Sequence, residues 1–390
     1  MFGSLQVAQK MTRMDVKSTF GISELRDNIV TEQGGAIVNP VGNAEYDLSV
    51  STDGGRSLLR TVERGRYVAG ITAEVGIGVR LSSSPYTGNQ SFRWGYFDDQ
   101  NGMFFQKDAD GMSVGIMRDG VQTELFPQSS WNVDRLDGSG PSESVLDLSR
   151  GNIFQIIYTW YGYGAVAFRI VVTNGGNQFV QTIHRYAPNG GTSVKNPNLP
   201  LYAELSNPGV TDPSATTAIR AYVAGRQYSI IGDVHSTNFR LTSPFVLDVS
   251  ADNTFSSIMN IRRKAGYLGN PIRVSAIEVI TDSIVLYQIR LNALQDPEGA
   301  AYGDIPDTRQ SETALEQNTS LTTLSDTGIV LFAGFATPGS GGVGRGNTSS
   351  SGTARAVDHN LENGEVLSLC IRAFDGAATV SGVLRITEEW

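Results

Sequence analysis

The sequence predicts an all-β protein: a large β-sandwich of jelly-roll type with an N-terminal arm and long surface loops. Short runs of residues alternate between apolar and polar, which is typical of strands with one buried face. The 44 glycines and 14 prolines follow no collagen-like period and indicate many turns between short strands. Hardly any segment carries a helical apolar stripe longer than about three turns. Helices therefore contribute little to the predicted fold.

The chain is predicted to have three segments. Its 390 residues, 40% of them hydrophobic, suffice for one large or two ordinary domains with a real core. Residues 1–45 show no sustained period, so we interpret them as an arm for assembly that lies against other subunits. Alternation begins at "AEYDLSVST" and predicts the main β-sandwich over residues 46–300. Residues 301–390 are predicted to be a C-terminal β segment that packs on the sandwich or completes it.

The stretch "FRWGYFDDQNGMFFQKDADGMSVGIMRDG" from Phe92 to Gly120 reads as a β-meander. Its Asn-Gly and Asp-Gly pairs supply the positive φ angles that tight hairpin turns require. From Gly151 to Val172, the letters "YGYG" divide the most apolar segment into two runs of strand length. Their β-branched and aromatic residues favour two buried strands over one helix. Three tryptophans are predicted core anchors: Trp94, Trp131 and Trp160.

Only one segment is a candidate for a helix, from Thr308 to Leu321, and its apolar spacing is poor. Three long loops rich in Asn, Pro, Gly and Ser are expected to project from the sandwich, where they either recognise a partner or simply connect strands. They are "HRYAPNGGTSVKNPN", "SNPGVTDPS" and "TPGSGGVGRGNTSSSG".

Charge and composition exclude several classes of partner. The net charge is −9 with a pI near 5.0, and no local run of Lys and Arg stands out, so we expect no nucleic-acid partner. No segment approaches the ~20 consecutive apolar residues of a membrane-spanning helix. The N-terminus also lacks the apolar centre of a signal peptide. We therefore expect synthesis in the cytoplasm and no membrane insertion.

Four carboxylates in the meander are the strongest candidates for acid/base chemistry or for a metal site. Each is predicted at a hairpin turn, where aspartate is favoured because its side chain accepts hydrogen bonds from local backbone N–H groups. The fragment "DADG" resembles part of a calcium loop, but the glutamate that such a loop needs later is missing. A structural ion at these turns is left open. The four residues are Asp98, Asp99, Asp108 and Asp110.

Other motifs also fall short of a functional site. Gly339 to Gly344 fit G-x-G-x-x-G, but the residues after Gly344 are helix-poor, so we interpret the motif as a surface loop. Asp233 and His235 share one face of a strand, whereas a metal site needs three or four convergent ligands. The sequence has two further histidines, His184 and His359, and a single cysteine, Cys370, in an apolar run. We therefore assign no catalytic, cofactor-binding or metal-binding residue and expect a non-enzymatic protein without a cofactor.

Six phrases in order along nearly the whole chain form a recognisable set: "FGSLQV", "RWGYFDDQNGMFFQ", "SSWNVDRLDGSGPSE", "LDLSRGNIFQIIYTWYGYGAVAFRIV", "NPNLPLYAELSN" and "ATVSGVLRITEEW". Together they resemble a family of virion structural proteins of tailed bacteriophages. The resemblance is strongest from Arg93 to Val172 and near Leu199 to Asn207. Members of this family are structural or tail-fibre proteins, and the resemblance implies no catalytic residue.

The sequence departs from that family at both termini. Ser4 stands where the family usually has Arg, and Ile386 stands where the family has a Trp. Here Trp390 instead comes after two glutamates at the end of the chain. The packing of the C-terminal strand is therefore expected to differ from that of the family.

The resemblance implies a structural component of a tailed-phage virion. Its partners would be copies of itself and other virion proteins, with host cell-surface glycan as a further candidate, and its place would be head or tail decoration or a fibre. A passive capsid cement protein is one alternative. The other is a tailspike-like depolymerase with sugar-binding aromatics and catalytic acids such as Asp98 or Asp134. Its four candidate aromatics lie in an apolar strand pair, which argues for burial: Tyr158, Trp160, Tyr161 and Tyr163.

Overall fold

The computed structural model is all-β and confirms the predicted β-sandwich architecture. Apart from strands, the described residues form short 3-10 helices at Ser18–Phe20 and Gln128–Ser130. The described residues are 10–68, 70–83, 86–174, 177–208, 218–232, 239–265, 267, 272–297, 301–306, 313–325, 328–338, 346–350, 361 and 364–389.

The chain divides into two compact units, Met1–His235 (unit 1) and Ser236–Trp390 (unit 2). This division differs from the predicted one, which placed boundaries after residues 45 and 300. Each unit encloses its own apolar core, and a boundary at residue 300 would cut through the second core. Alternating strand patterns look the same in both units, so periodicity alone does not mark the change of core.

Unit 1 contains fifteen strands among its described residues. They are β1 Lys10–Val16, β2 Asp27–Glu32, β3 Gly35–Val38, β4 Tyr46–Val50, β5 Gly55–Arg64, β6 Thr72–Leu81, β7 Ser91–Phe97, β8 Asn101–Asp108, β9 Gly111–Arg118, β10 Val121–Pro127, β11 Asn152–Tyr158, β12 Val166–Asn174, β13 Asn177–Tyr186, β14 Pro200–Asn207 and β15 Ile219–Ile231.

Two antiparallel sheets form unit 1. Over the described strands, the eight-stranded sheet has the order β13-β12-β11-β6-β15-β4-β3, with β1 added on β15. The seven-stranded sheet has the order β10-β9-β8-β7-β14-β5-β2. Residues from both sheets fill one core, with Trp94 and Phe105 of the seven-stranded sheet against Phe154 of the eight-stranded sheet. A face-to-face sandwich of this kind buries one side of each sheet.

The meander from Phe92 to Gly120 has the predicted strand pattern. β7, β8, β9 and β10 pair in order through short turns. The segment around "YGYG" likewise forms two paired strands, β11 and β12. Of the three predicted anchors, Trp94 and Trp131 are buried, whereas Trp160 is only partly buried against the core.

The N-terminal segment is not a separate arm over its described part. β1 pairs with β15, β2 with β5 and β3 with β4, so residues 10–38 contribute strands to both sheets. Met14 and Val16 of β1 are buried in the core. The segment lacks a clear period partly because the pairing of β1 shifts register between Thr12 and Met14, which breaks the alternation of the strand.

Unit 2 contains eleven strands among its described residues. They are β16 Phe239–Thr242, β17 Phe245–Ala251, β18 Ser256–Arg263, β19 Ile272–Thr281, β20 Val285–Leu291, β21 Gly303–Asp304, β22 Leu315–Asn318, β23 Ile329–Ala336, β24 Gly346–Ser350, β25 Val366–Ala373 and β26 Ala378–Glu389.

In the described part of unit 2, one sheet has the order β16-β26-β19-β24, with β17 also on β26, and the other has the order β21-β22-β18-β25-β20-β23. The ambiguous helix candidate from Thr308 to Leu321 is not a helix over its described part, which contains the strand β22. Residues 307–312 lie outside the described residues. Leu315 enters the apolar core of unit 2, and burial there outweighs the weak helix propensity of the segment.

Candidate functional site

One end of unit 1 gathers five connections, which we call the loop end. They are the connections β5–β6 (residues 65–68 and 70–71), β7–β8 (98–100), β9–β10 (119–120), β11–β12 (159–165) and β13–β14 (187–199). Hydrogen bonds join them: Gly65 N–H donates to the Leu199 carbonyl at 2.9 Å, and Ser193 N–H donates to the Gly162 carbonyl at 2.9 Å. Lys195 N–H donates to Asn101 Oδ1 at the start of β8 at 2.8 Å.

Buried tyrosines anchor the loop end to the core. The Tyr96 hydroxyl shares its one proton between the carbonyls of Gly65 and Pro197, at 2.9 and 2.8 Å, and Tyr228 donates to the Arg66 carbonyl at 2.6 Å. Burial raises the pKa of Tyr96 to about 12, so its hydroxyl stays a neutral donor at physiological pH. Such bonds fix loops of irregular backbone against a rigid framework.

Two tyrosines project from this base. Tyr161 is 62% exposed and Tyr163 is 72% exposed, which corrects the expectation that all four aromatics of this segment are buried. Tyr158 is buried and Trp160 is partly buried. The Gly162 backbone, with φ of +83°, belongs to the turn between β11 and β12, and a turn carries side chains out of the strand pair.

Tyr161 is held in place despite an unfavourable backbone. Its φ is +40°, a region that bulky residues rarely adopt. Its N–H donates to the Tyr67 hydroxyl at 3.1 Å. The Tyr67 ring in turn packs edge-on against Trp160 with 5.7 Å between centroids. A Cβ at Gly70 would lie 2.7 Å from the Tyr161 hydroxyl oxygen, so a glycine there leaves room for the ring.

The four aspartates of the meander do not converge. Asp98 and Asp99 lie in the β7–β8 turn at the loop end, whereas Asp108 is the last residue of β8 and Asp110 lies in the β8–β9 turn, at the other end of that strand. A strand of eight residues spans about 26 Å, so the two pairs cannot act on one substrate bond. Asp98 accepts backbone N–H bonds from Gln100 and Asn101 at 2.9 and 2.8 Å, as expected for a turn residue.

Asp108 and Asp134 also have structural roles. Asp108 Oδ1 accepts the Asp110 N–H at 3.0 Å, which closes the β8–β9 turn. Asp134 is buried and accepts backbone N–H bonds from Leu136 and Ser142, both at 2.9 Å. It therefore organises the loop between β10 and β11. Within the described ranges, no group of three or more His, Cys, Asp and Glu side chains could hold a metal ion.

One acidic pair does form, between Asp99 and Glu204, and Glu204 was not among the candidates from the sequence. The Tyr202 hydroxyl lies 2.9 Å from Glu204 Oε2 and 3.2 Å from Asp99 Oδ1. Arg56 Nη2 lies 3.0 Å from Glu204 Oε2 and 3.7 Å from Asp99 Oδ1. Burial and the two carboxylates raise the pKa of Tyr202, so its hydroxyl keeps its proton. The alternation in "LPLYAELSN" already placed Tyr202 and Glu204 on one face.

The remaining candidates are buried or lie outside the described residues. His184 is buried, and its Nδ1 accepts the Asn132 N–H at 3.3 Å while its ring packs on Phe126 at 4.4 Å. Burial lowers the pKa of His184. Cys370 is buried, and burial raises the pKa of its thiol to about 12. Outside the described residues lie Asp233, His235, His359, Trp390 and the glycine motif from Gly339 to Gly344.

Comparisons with known proteins add little beyond the architecture. No family model matches the sequence, and no curated protein matches it at a significant level. Solved structures with similar folds include an endo-β-1,4-glucuronan lyase from Trichoderma reesei, at 10% identity and a TM-score of 0.36, covering 57% of this chain and 96% of that one. Basic winged bean lectin with Tn-antigen aligns at 9% identity and a TM-score of 0.36, covering 57% of this chain and 98% of that one.

A protein of unknown function from Shewanella oneidensis MR-1 aligns at 12% identity and a TM-score of 0.34, covering 61% of this chain and 93% of that one. At such identities the likeness concerns the fold alone. In the part of the chain that the structure describes, no helix is long and apolar enough to span a bilayer.

Proposed function

We propose that this chain is a non-enzymatic structural component of a tailed-phage virion, exposed on the particle, and that the loop end of unit 1 contacts glycan on the host cell. The proposed glycan contact rests on one observation, the exposure of Tyr161 and Tyr163 at the loop end. A tyrosine offers a rigid ring and a hydroxyl at low conformational cost. A sugar presents the matching surface, an apolar C–H face bordered by hydroxyl groups.

The polar groups beside these rings suit recognition of hydroxyl groups. At the loop end, Asp99 is 65% exposed, and Lys195 and Asp119 form an exposed ion pair at 2.5 Å. Carboxylates accept hydrogen bonds and ammonium groups donate them. The loop end therefore offers both kinds of partner to a polyhydroxyl ligand.

The depolymerase remains a second candidate, because Asp99 and Glu204 share the Tyr202 hydroxyl and their nearest oxygens are therefore at most about 6 Å apart. Retaining glycosidases hold their carboxyl groups about 5 to 5.5 Å apart. A general acid, however, works from a carboxyl group kept protonated by an apolar setting. Here Arg56 lies within ion-pair distance of both carboxylates, so their surroundings are polar and charged, not apolar. This setting supports the non-enzymatic proposal.

The role in the particle is supported by the resemblance of the sequence to virion structural proteins. Anchoring through the N-terminal segment stays a prediction. Residues 10–38 of that segment contribute strands to both sheets of unit 1. Mass spectrometry and immunogold labelling of purified phage particles test the virion role. Absence of the chain from intact particles would contradict it. Labelling without any affinity for host glycan would instead favour the passive cement protein.

Affinity of the full chain for host surface polysaccharide tests the glycan contact. We expect Tyr161→Ala and Tyr163→Ala each to weaken binding up to about tenfold, because one aromatic contact contributes about 0.5–1.5 kcal/mol. Phe20→Ala is the control, since Phe20 is equally exposed in unit 1 but lies outside the loop end. Binding that is undetectable in the native chain, or unaffected by both tyrosine substitutions, would refute the proposal.

A reducing-end assay on the same polysaccharide separates binding from cleavage. We expect no release of reducing ends by the native chain. Release that is abolished by Glu204→Gln or Asp99→Asn would establish the depolymerase instead. Asp98→Asn is the control for general damage to the β7–β8 turn, because Asp98 holds that turn through backbone N–H groups.

A further inference from the structure

One arginine at the loop end has no polar partner in the described structure. Arg118 is the last residue of β9 and is partly buried, and its guanidinium forms no hydrogen bond or ion pair with any described residue. By contrast, Arg64 pairs with Asp98 at 2.9 Å, and Lys195 pairs with Asp119. A guanidinium that is partly removed from water without a partner loses hydration that no other group replaces. Arg118 is therefore a candidate to bind an anionic group of a ligand.

The alternation of β9 places Arg118 at the mouth of the sandwich. Val114 and Ile116 of the same strand face the core of unit 1, and Arg118 continues that face because side chains alternate along a strand. Tyr186 of β13 packs on the core from the opposite sheet. Burial and the Glu124 carboxylate raise the pKa of Tyr186, and the charge of Arg118 lowers it in part. The guanidinium therefore lies near this phenol, between the two sheets.

The guanidinium also lies beside the loop that contacts the turn of the exposed tyrosines. A Cβ at Gly191 would lie 2.7 Å from Arg118 Nη1. Gly191 does not adopt positive φ, so its backbone does not need a glycine, whereas the guanidinium needs the space. The next residue, Thr192, has its Cγ2 2.9 Å from where a Cβ of Gly162 would lie, and Gly162 stands between the two exposed tyrosines. Along these contacts, Arg118 Nη1 lies at most about 15 Å from the Gly162 Cα, a distance that a few sugar units span.

We propose that Arg118 binds a carboxylate of the host glycan, so that the ligand of the loop end is an acidic polysaccharide whose sugars carry carboxylate groups. This inference rests on the glycan contact proposed above and names the class of glycan. A guanidinium presents a planar fork of N–H donors that matches the two oxygens of a carboxylate. Partial burial strengthens such a charged hydrogen bond, because less water competes for the guanidinium. The tyrosine rings contact the apolar faces of sugars, and Arg118 selects for charge.

The charges around Arg118 leave the guanidinium accessible to an anion, although the net charge of the chain is −9. Exposed charges farther apart than about 8 Å are largely screened at physiological ionic strength. Nearby, the Asp119 carboxylate is already paired with Lys195, and Glu124 is not within ion-pair distance of Arg118 in the described structure. A glycan carboxylate can therefore bind Arg118 without breaking an existing ion pair.

Host surface polysaccharide before and after chemical reduction of its carboxyl groups tests the proposal. Reduction turns each acidic sugar into a neutral one and leaves the rest of the polymer unchanged. We expect the native full chain to bind the reduced polysaccharide about tenfold to a hundredfold more weakly than the untreated one. Arg118→Gln should bind both forms with the same weak affinity. Arg118→Lys keeps the charge but lacks the planar fork, so its preference for the untreated form should be smaller than that of the native chain.

Arg150→Gln is the matched control. It removes the same charge from unit 1, but Arg150 is 83% exposed and precedes β11 at the end of that strand opposite the loop end. This variant should bind both forms as the native chain does. Circular dichroism and thermal midpoints should stay unchanged in all three variants, because Arg118 has no partner to lose in the described structure and Arg150 lies at the surface.

The outcomes separate this inference from the proposed glycan contact. Equal binding of both forms by the native chain, weakened by Tyr161→Ala, would overturn the acidic specificity and leave the glycan contact in place. A preference for the untreated form that persists at full size in Arg118→Gln or Arg118→Lys would overturn the role of Arg118. If the native chain binds neither form, the glycan contact itself is refuted, and the acidic specificity with it.

Discussion

A buried ion pair crosses the sandwich of unit 1, and its disruption is the sharpest test of how that unit is built. Arg226 on β15 and Asp27 on β2 have fully buried side chains, with 2.5 Å between Arg226 Nη2 and Asp27 Oδ1. β15 belongs to the eight-stranded sheet and β2 to the seven-stranded sheet. Tyr46 also donates to Asp27 Oδ2 at 2.7 Å. Asp27 thus ties a strand of the predicted arm to the opposite sheet.

Asp27→Asn keeps the shape of the side chain and removes its charge. Arg226 Nε and Nη1 are buried without a hydrogen-bond partner in the described structure, so the guanidinium has few other groups to compensate the loss. Breaking a buried pair by removing one partner costs about 3–5 kcal/mol. A typical domain has an unfolding free energy of about 5–15 kcal/mol. We therefore expect Asp27→Asn to remove a large share of the stability of unit 1.

A double variant separates the buried charge from simple damage to packing. In Asp27→Asn/Arg226→Met, neither position of the buried pair carries a charge, and the amide oxygen at position 27 still accepts the Tyr46 hydroxyl. Arg26, whose Nη2 lies 3.2 Å from Asp27 Oδ2, has a side chain that is 25% exposed, so water solvates its charge in this variant. Replacing a buried pair by apolar groups of similar volume is often neutral or stabilising. The double variant should therefore recover most of the loss. Asp47→Asn is the control, because its partner Arg220 is half exposed and such pairs contribute about 0–1 kcal/mol.

Denaturant unfolding followed by tryptophan fluorescence measures these changes in unit 1. The sequence has four tryptophans, and Trp94, Trp131 and Trp160 lie in unit 1. A loss below about 1 kcal/mol for Asp27→Asn, within the range of a surface pair, would show that the ion pair does not stabilise the sandwich. A double variant no more stable than the single one would refute the charge argument.

Three further predictions concern single residues. Burial lowers the pKa of His184, so the unfolded chain binds a proton at this residue more readily than the folded chain does. The thermal midpoint should therefore fall as the pH drops below about 6.5. His184→Gln should flatten that decline. Gly102→Ala should destabilise unit 1 more than Gly111→Ala, by about 1–3 kcal/mol, in denaturant titrations: both glycines have positive φ, but only a Cβ at Gly102 meets neighbouring atoms, the nearest at 2.0 Å. Cys370, with a thiol pKa of about 12, should resist iodoacetamide in the native chain and react once the chain is unfolded; native-state labelling by mass spectrometry would contradict this.

The parts of the fold that depend on local sequence were predictable. The meander follows from alternation and from the Asp-Gly turns, which involve neighbouring residues only. The Asn-Gly pair, predicted as a turn, instead begins β8, and the β7–β8 turn is formed by residues 98–100. The division into β11 and β12 follows from the glycines of "YGYG" in the same way. In each case the partner strand comes next in the chain, so the pattern contains both halves of the pairing.

Pairings between distant residues were not predictable. Lys10 of β1 pairs with Ile231 of β15 at the far end of unit 1, and nothing in the N-terminal sequence identifies that partner. The acidic pair has the same cause, since Asp99 comes from a turn and Glu204 from β14, which the topology places beside β7. The sequence could show that Glu204 shares a face with Tyr202, but not which turn would cover that face.

Tyr161 shows why the exposed tyrosines were missed and why they matter. An aromatic residue after an apolar run is usually core, but the positive φ of Tyr161 costs about 1–3 kcal/mol. Little burial offsets that cost, because more than half of the side chain is in solvent. Positions 161 and 162 both have positive φ, for which glycine is the default residue. Glycine occupies position 162, whereas position 161 has a tyrosine that the turn does not require. Strain retained without a packing benefit is typical of residues that contact a ligand, and this is the physical reason for proposing a glycan contact at the loop end.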